Sequence, residues 1–323
     1  SHVNKFETFW GTLQLQKKVN MKFNILFSSL LPIFLLIACN KGTEDVQSAK
    51  DIDTMVKYKK GYQLYTIREE LTNDSSLSAS LIASAKMGYV QVESFGYLNG
   101  AFFGQSPELF KATIDSALLV SPSGHYMPMQ LATNNPAPID NGTIKEILDA
   151  AEALGQKWVV IPWMSQGWRN KKGYEYLAEY LKRLSVACQE RGMVAAWHNH
   201  EFEFIPFENG TIPFDYLIST LKEEGVVFEM DIHWVAFAGE DPVHWFSKYP
   251  GMFPLWHVKD FAADTITQVP VGQGVLDWER IFSYAELSGM KHYYIEQDEC
   301  SADRSLRCLK ESIDWANQQK FMD

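Results

Sequence analysis

Eight short apolar runs, separated by longer amphipathic stretches, restrict this chain to very few architectures. The runs fall at 61–66, 89–93, 118–121 (the weakest), 158–162, 194–197, 226–230, 254–258 and 293–296. Trp158-Val159-Val160-Ile161-Pro162 shows their character: apolar throughout, with none of the alternation of a strand that has one wet face. Strands covered on both faces, as in parallel sheets, have this composition. Between the runs, Leu177, Tyr180, Leu181, Leu184 and Cys188 recur at helical spacing within 174–191, and Gly192 follows where a helix end favours a left-handed residue. Leu217, Ile218 and Leu221 mark one face of a helix at 215–224. Asn141-Gly142-Thr143 leads into Ile144, Ile147, Leu148, Ala151 and Leu154, and a helix at 306–318 closes the chain. Strands and helices alternating in this number predict an α/β fold, a closed (β/α)8 TIM barrel forming one domain over 61–323. A doubly wound open sheet is the rival, but no GxGxxG follows the first run, so the dinucleotide fingerprint is missing.

The first sixty residues have a different character. Met21-Lys22 precedes an apolar run from Phe23 to Ala38, a basic start and hydrophobic centre of the secretory-signal type. The run falls short of the roughly 20 residues of a comfortable transmembrane helix. Leu36-Ile37-Ala38-Cys39 resembles the lipobox of bacterial lipoproteins, which implies lipidation of Cys39. The expected organisation is a leader over 1–38, including the signal peptide, then a polar tether over 39–60. The expected location is the bacterial envelope, periplasm or cell surface, with membrane contact through the lipid anchor alone.

Composition removes further options. With 29 Lys+Arg against 40 Asp+Glu, the formal net charge is −11, and an acidic surface repels phosphate backbones, so no nucleic-acid partner is expected. Cys188, Cys300 and Cys308 show no CxxC spacing, which argues against a zinc–thiolate cluster. Cys300 and Cys308 are a candidate pair in an oxidising compartment.

In a (β/α)8 barrel the chemistry sits at the C-terminal ends of the strands. Polar residues cluster there in this sequence: Val92-Glu93-Ser94, Ser123-Gly124-His125, Trp197-His198-Asn199-His200-Glu201-Phe202-Glu203, Glu229-Met230-Asp231-Ile232-His233-Trp234, Trp256-His257-Val258-Lys259-Asp260, and Ile295-Glu296-Gln297-Asp298-Glu299. Ionisable groups inside a barrel are costly unless paired or bound to metal. A His/Asp/Glu set without cysteine suits one divalent cation such as Mn, Co, Zn or Mg. Such a cation can polarise a carbonyl while a nearby base takes the adjacent proton. Glu229 shares a strand face with Asp231 and is expected as its buried partner. His292, at the far end of its strand, is expected to be structural.

These segments resemble the xylose isomerase-like barrel superfamily, in the branch called sugar phosphate isomerases/epimerases. The resemblance runs from Gly61 to Ala316. It is carried by 63–68 (QLYTIR), 92–96 (VESFG), 198–204 (HNHEFEF), Met230-Asp231 with 238–242 (AGEDP), 257–260 (HVKD), 271–278 (VGQGVLDW) and 295–298 (IEQD). It implies a single divalent metal held by a carboxylate near mid-barrel, then Asp, His and Glu after the sixth, seventh and eighth strands. Asp231, His257 and Glu296 match the last three. At the first position His198 stands where the epimerases commonly have Glu, with His200 and Glu203 close by as alternatives. The substitution removes a carboxylate that can act as a base in two-base epimerisation. Similar histidine-rich motifs occur in relatives resembling inosose dehydratase, a lyase.

The candidate catalytic groups are therefore His200, Lys259 and Glu93; the candidate metal ligands are His198, Asp231, His257 and Glu296. His125, Glu203, His233 and Trp234 are candidate substrate contacts. The expected activity is metal-dependent isomerisation, epimerisation or elimination on a small carbohydrate or cyclitol, such as a keto-sugar or 3-keto-glycoside. The alternatives are a non-catalytic sugar-binding lipoprotein and, further off, an abasic-DNA endonuclease.

Overall fold

The computed structural model describes residues 58–133, 138–263, 267–300 and 304–323. The expected leader, Cys39 and most of the expected tether lie outside them; the first strand already begins at Lys60.

Eight parallel strands form one sheet: β1 (Lys60–Gln63), β2 (Gln91–Glu93), β3 (Ser123–His125), β4 (Trp158–Ile161), β5 (Val194–His198), β6 (Val227–Asp231), β7 (Leu255–Val258) and β8 (His292–Ile295). Their spatial order is β2-β1-β8-β7-β6-β5-β4-β3. The two ends of this order meet through parallel bridges, Gln91 with Val120 and Ser94 with Gly124, and the His125 amide donates to the Ser94 carbonyl at 2.7 Å. The sheet is thereby a nearly closed barrel, as expected.

Helices follow the strands: α1 (Asp74–Met87), α2 (Pro107–Ser116), α3 (Asn141–Leu154), α4 (Lys171–Glu190), α5 (Pro213–Leu221), α6 (Pro242–Lys248), α7 (Trp278–Phe282) and α8 (Ser305–Ala316). Local chemistry starts and ends them. The Asn73 and Asp140 side chains accept from the first-turn amides of α1 and α3, and Asn170 does so for α4. Gly192, just past the end of α4, has φ +68°, so the left-handed position is where the sequence placed it. Leu177, Leu181, Leu184 and Cys188 form the buried face of α4. None of the described helices is long and apolar enough to cross a membrane.

The third strand is a correction. The apolar run 118–121 is not the strand; Ser123–His125 is. Leu118 is 89% exposed with φ +61°, which makes it the turn that ends α2. The residues that do form the strand are small and polar because space is short: a Cβ on Gly124 would lie 2.4 Å from Ser94 Oγ. Close approach at the barrel seam selected against the branched residues that usually signal a strand.

The barrel interior changes character along its axis. Val160, Ala196, Leu255 and Tyr294, from four different strands, form a buried apolar cluster. Above it, toward the C-terminal strand ends, the interior is filled by ionisable groups. A disulfide joins Cys300, after β8, to Cys308 in α8, and the remaining described cysteine, Cys188, is buried, which pushes its thiol up to about 12.

Gly173 in the first turn of α4 abuts the preceding loop: a Cβ there would lie 1.8 Å from the Trp168 carbonyl oxygen. Gly173→Ala is expected to destabilise the barrel by about 1–3 kcal/mol through forced displacement of that backbone. Urea unfolding monitored by circular dichroism checks this; an unchanged midpoint would contradict it.

Candidate metal centre

Parallel register brings the strand-end groups together. Asp231 on β6 is level with His257 on β7, His198 on β5 is level with Glu229 on β6, and Gln63 on β1 is level with Glu93 on β2. Glu296 follows β8 by one residue and Lys259 follows β7 by one residue. Alternation then points Glu229 and Asp231, and likewise His257 and Lys259, to the same side.

The upper part of the site is built around Lys259. Its ammonium, 1% exposed, lies 2.9 Å from Asp231 Oδ2, 2.7 Å from Glu296 Oε2 and 2.8 Å from Asp298 Oδ2. Burial works against the charged lysine, but these three carboxylates hold its pKa well above the usual range. Burial likewise works against ionised Glu296, yet Lys259 keeps it down at about 2; Asp231, more strongly affected by burial, is raised to about 6. The remaining Asp231 contacts fix its place: Oδ1 accepts from the Trp234 amide at 3.1 Å, and its backbone exchanges two hydrogen bonds with the Asn199 side chain.

The lower part centres on His257 and Glu229. His257 Nδ1 lies 2.7 Å from Glu296 Oε2, and its Nε2 lies 2.6 Å from Glu93 Oε2 and 3.2 Å from Glu229 Oε2. Glu229 Oε2 is also 2.6 Å from His125 Nε2 and 3.0 Å from His198 Nδ1. Burial would lower the His125 pKa, but Glu93 and Glu229 outweigh it and raise the group to about 9. His198, without that surplus of negative charge, is pushed down to about 3 by burial and by His257. Gln63 Nε2 donates to Glu93 Oε2 at 2.7 Å and Ser123 Oγ to Glu93 Oε1 at 2.6 Å.

The donor set fits a divalent cation. Buried Asp231, His257 and Glu296 each bring a ligand atom within 4.8 Å of the others. An ammonium already lies between two of those carboxylates, so the position attracts positive charge. Two carboxylates and one imidazole suit Mn, Co, Zn or Mg, and three protein ligands leave positions for substrate oxygens. His198 Nε2 comes to 3.7 Å from Asp231 Oδ2, at the border of this group.

The other candidates fall around this centre. His200 is buried, and burial together with His198 and Lys259 lowers its pKa well below the usual value, so it is a neutral imidazole. Its Nδ1 has no hydrogen-bond partner among the described residues, and its ring stacks on Trp234 at 5.6 Å between centroids. The Trp234 ring also lies 5.6 Å from the Lys259 ammonium. Glu203 is fully buried, accepts from the His200 amide at 2.7 Å, and has its pKa raised by burial. It belongs to the local turn and to neither group of converging ligand atoms. His233 packs against Trp234, Phe237 and Phe261. His125, read as a substrate contact, is drawn into the Glu229 cluster instead of standing apart from it, and Glu93 has both oxygens occupied behind His257. His292 hydrogen-bonds Gln91 Oε1 at 2.8 Å, far from this cluster's level in β8, as its sequence position suggests.

Sequence reasoning missed Asp298, Gln268 and Ser123. Gln268 Nε2 donates to Asp298 Oδ2 at 2.9 Å, and its Oε1 accepts from the Asp298 amide at 2.6 Å. Only Asp298 had a usable signal, its place two residues after Glu296. Neither Asp260, its neighbour in sequence, nor Glu93 pairs with Lys259 among the described contacts. Asp260 faces the other way and organises the following loop, accepting from the Gly272 and Gly274 amides and from Trp278 Nε1.

Residues 81–318 match the xylose isomerase-like TIM barrel family. The chain belongs to this family. Among solved members of the fold, a sugar phosphate isomerase/epimerase from Parabacteroides distasonis superposes with a TM-score of 0.73 at 24% identity, covering 84% of this chain and 97% of that one. The zinc-bound IolI protein superposes with a TM-score of 0.58 at 15% identity, covering 79% of this chain and 96% of that one. An inosose dehydratase from Clostridium beijerinckii is 24% identical over 154 residues, 42% of this chain and 51% of the relative. The chain thus spans about half the length of the curated relatives it matches.

Lys259→Met is expected to leave Asp231, Glu296 and Asp298 facing one another without their ammonium. In chelator-treated protein this should cost about 3–5 kcal/mol, the penalty for removing one partner of a buried ion pair. Denaturant titration in the presence of EDTA checks the value, and a loss below about 1 kcal/mol would show that the carboxylates are neutralised some other way.

Proposed function

We propose that this protein is a metal-dependent enzyme acting on a carbohydrate or cyclitol, and that it removes a proton next to a carbonyl, with elimination as the outcome. The observation that carries this reading is the convergence of Asp231, His257 and Glu296 on one point at the C-terminal strand ends, beside a buried, charged Lys259. Asp231, His257 and Glu296 would hold the cation, with His198 as the neighbouring donor. When bound, a divalent cation there supplies Lewis acidity to a carbonyl and an adjacent hydroxyl.

The chain's own groups supply the remaining chemistry. His200 is a neutral imidazole with an unoccupied buried nitrogen, the state a general base needs. It accepts the proton from the carbon beside the carbonyl, and the C–H electron pair forms the enolate double bond. Lys259, held protonated by three carboxylates, stabilises the developing oxyanion by its charge. Collapse of the enolate expels the oxygen substituent on the next carbon, and the His200 imidazolium returns its proton to that leaving oxygen. Trp234 offers an apolar face beside His200 for the sugar ring. Glu93 positions His257 through Nε2 and takes no proton from substrate.

Elimination is favoured over epimerisation by His198. Epimerisation requires a proton acceptor on each face of the carbon, and a neutral imidazole bound to Glu229 stands where a second carboxylate base would be needed. The similarity to inosose dehydratase supports the same choice. If the protein is exported, as the 21–39 segment suggests, free keto-sugars, keto-cyclitols or 3-keto-glycosides are the substrate class, and phosphorylated sugars are not.

The test is proton NMR of a keto-cyclitol and a 3-keto-glucoside in D2O with the purified protein. Deuterium should enter at the carbon beside the carbonyl, and water or the aglycone should be released. His200→Gln should slow both by about 10²–10⁴-fold, in line with loss of a general base; chelation and Asp231→Asn should abolish both. Exchange without release would identify an isomerase or epimerase. Saturable binding with no exchange would leave a sugar-binding protein.

A further inference from the structure

Beneath the Asp231–His257–Glu296 group lies a second set of ligand atoms, two of whose residues, His198 and His257, also border the first. His125, His198, Glu229 and His257, from β3, β5, β6 and β7, each bring one ligand atom within 4.8 Å of the others. Glu229 Oε2 lies at the centre, 2.6 Å from His125 Nε2, 3.0 Å from His198 Nδ1 and 3.2 Å from His257 Nε2. His125 is 9% exposed, and the other three are buried more completely. The second oxygen of Glu229, Oε1, is fully buried and has no hydrogen-bond partner among the described residues. A carboxylate oxygen deprived of water and given no donor costs free energy unless a ligand satisfies it.

His257 links the two sets. Its Nδ1 faces Glu296 at 2.7 Å, whereas its Nε2 faces Glu229 and Glu93. One imidazole therefore offers a different ring nitrogen to each.

We propose that His125, His198, Glu229 and His257 form a second cation site, rich in nitrogen, which binds zinc, cobalt(II) or nickel and shares His257 with the upper site through the opposite ring nitrogen, the bridging ring being an imidazolate that releases its N–H proton to solvent when both ions are bound. Three imidazoles and one carboxylate match the preference of these borderline ions over magnesium or manganese. Four protein ligands leave no position for substrate, so the ion is structural. It fixes the His257 ring from behind, the role usually given to a hydrogen-bonded carboxylate. This site is distinct from the reaction proposed above, and its test does not depend on turnover.

The experiment is to load the purified, metal-stripped protein with cobalt(II) alone, remove excess by gel filtration, and record cobalt per chain and the visible spectrum. The wild type should hold two equivalents and show the intense d–d bands of a four-coordinate, nitrogen-rich ion. Asp231→Asn should lose one equivalent and keep those bands. His125→Gln and Glu229→Gln should each lose one equivalent and the bands, with circular dichroism confirming that they fold. One equivalent in the wild type, abolished by Asp231→Asn and untouched by His125→Gln, would overturn the proposal while leaving the upper site intact. The wild-type stoichiometry decides the matter even if a variant fails to fold.

Discussion

The ammonium of Lys259 among Asp231, Glu296 and Asp298 is the interaction on which the upper barrel depends. Three carboxylates brought together away from water repel one another and lose solvation; without a cation they would protonate or force the strand ends apart. Lys259 meets all three within 2.9 Å. It can do so because β7 delivers it at the height where β6 and β8 deliver the carboxylates. The lower barrel has no such problem, since Val160, Ala196, Leu255 and Tyr294 fill it with apolar atoms. The fold is thus stabilised by ordinary burial at one end and by charge compensation at the other. The second end is the one with chemical capability.

Adjacent residues just after β7 divide this work. Lys259 turns inward to the carboxylates, and Asp260 turns away to gather the amides of Gly272 and Gly274 and the indole of Trp278. The loop that follows β7 needs glycine at Gly274, because a Cβ there would lie 2.0 Å from Asp260 Oδ1. Strand alternation thereby couples the reactive cluster to its scaffold: the same two residues set the charge of the site and the shape of its rim. Gln268, carried on this loop, reaches back to hold Asp298.

This chain shares the barrel of the xylose isomerase-like family, and at its strand ends histidines stand beside the Asp231–His257–Glu296 group. His198 hydrogen-bonds Glu229 from below and borders Asp231 from above. A neutral ring at that point brings no negative charge to the upper site. In the proposed reaction proton abstraction falls to His200, whose neutral state follows from its burial beside His198 and Lys259.

The sequence by itself determined the barrel, the single domain from the first strand onward, and the strand ends that carry Asp231, His257 and Glu296, because hydrophobic periodicity and strand alternation are local properties. It also placed the helix end at Gly192 and put Glu229 in the buried interior, but as a partner of Asp231, whereas Glu229 meets His125, His198 and His257 instead. It misplaced the third strand, since Ser123-Gly124-His125 owes its conformation to the crowded seam against Ser94 and not to its own propensity. Only the tertiary structure decided the partners: that Lys259 meets Asp298 and not Asp260, that His125 joins Glu229, and that His257 turns one nitrogen to each of two carboxylate groups. Those pairings join residues dozens to well over a hundred positions apart, and they follow from the relative heights of strands across a closed barrel. Register of that kind is fixed by the packing of the whole sheet, so no local stretch of sequence encodes it.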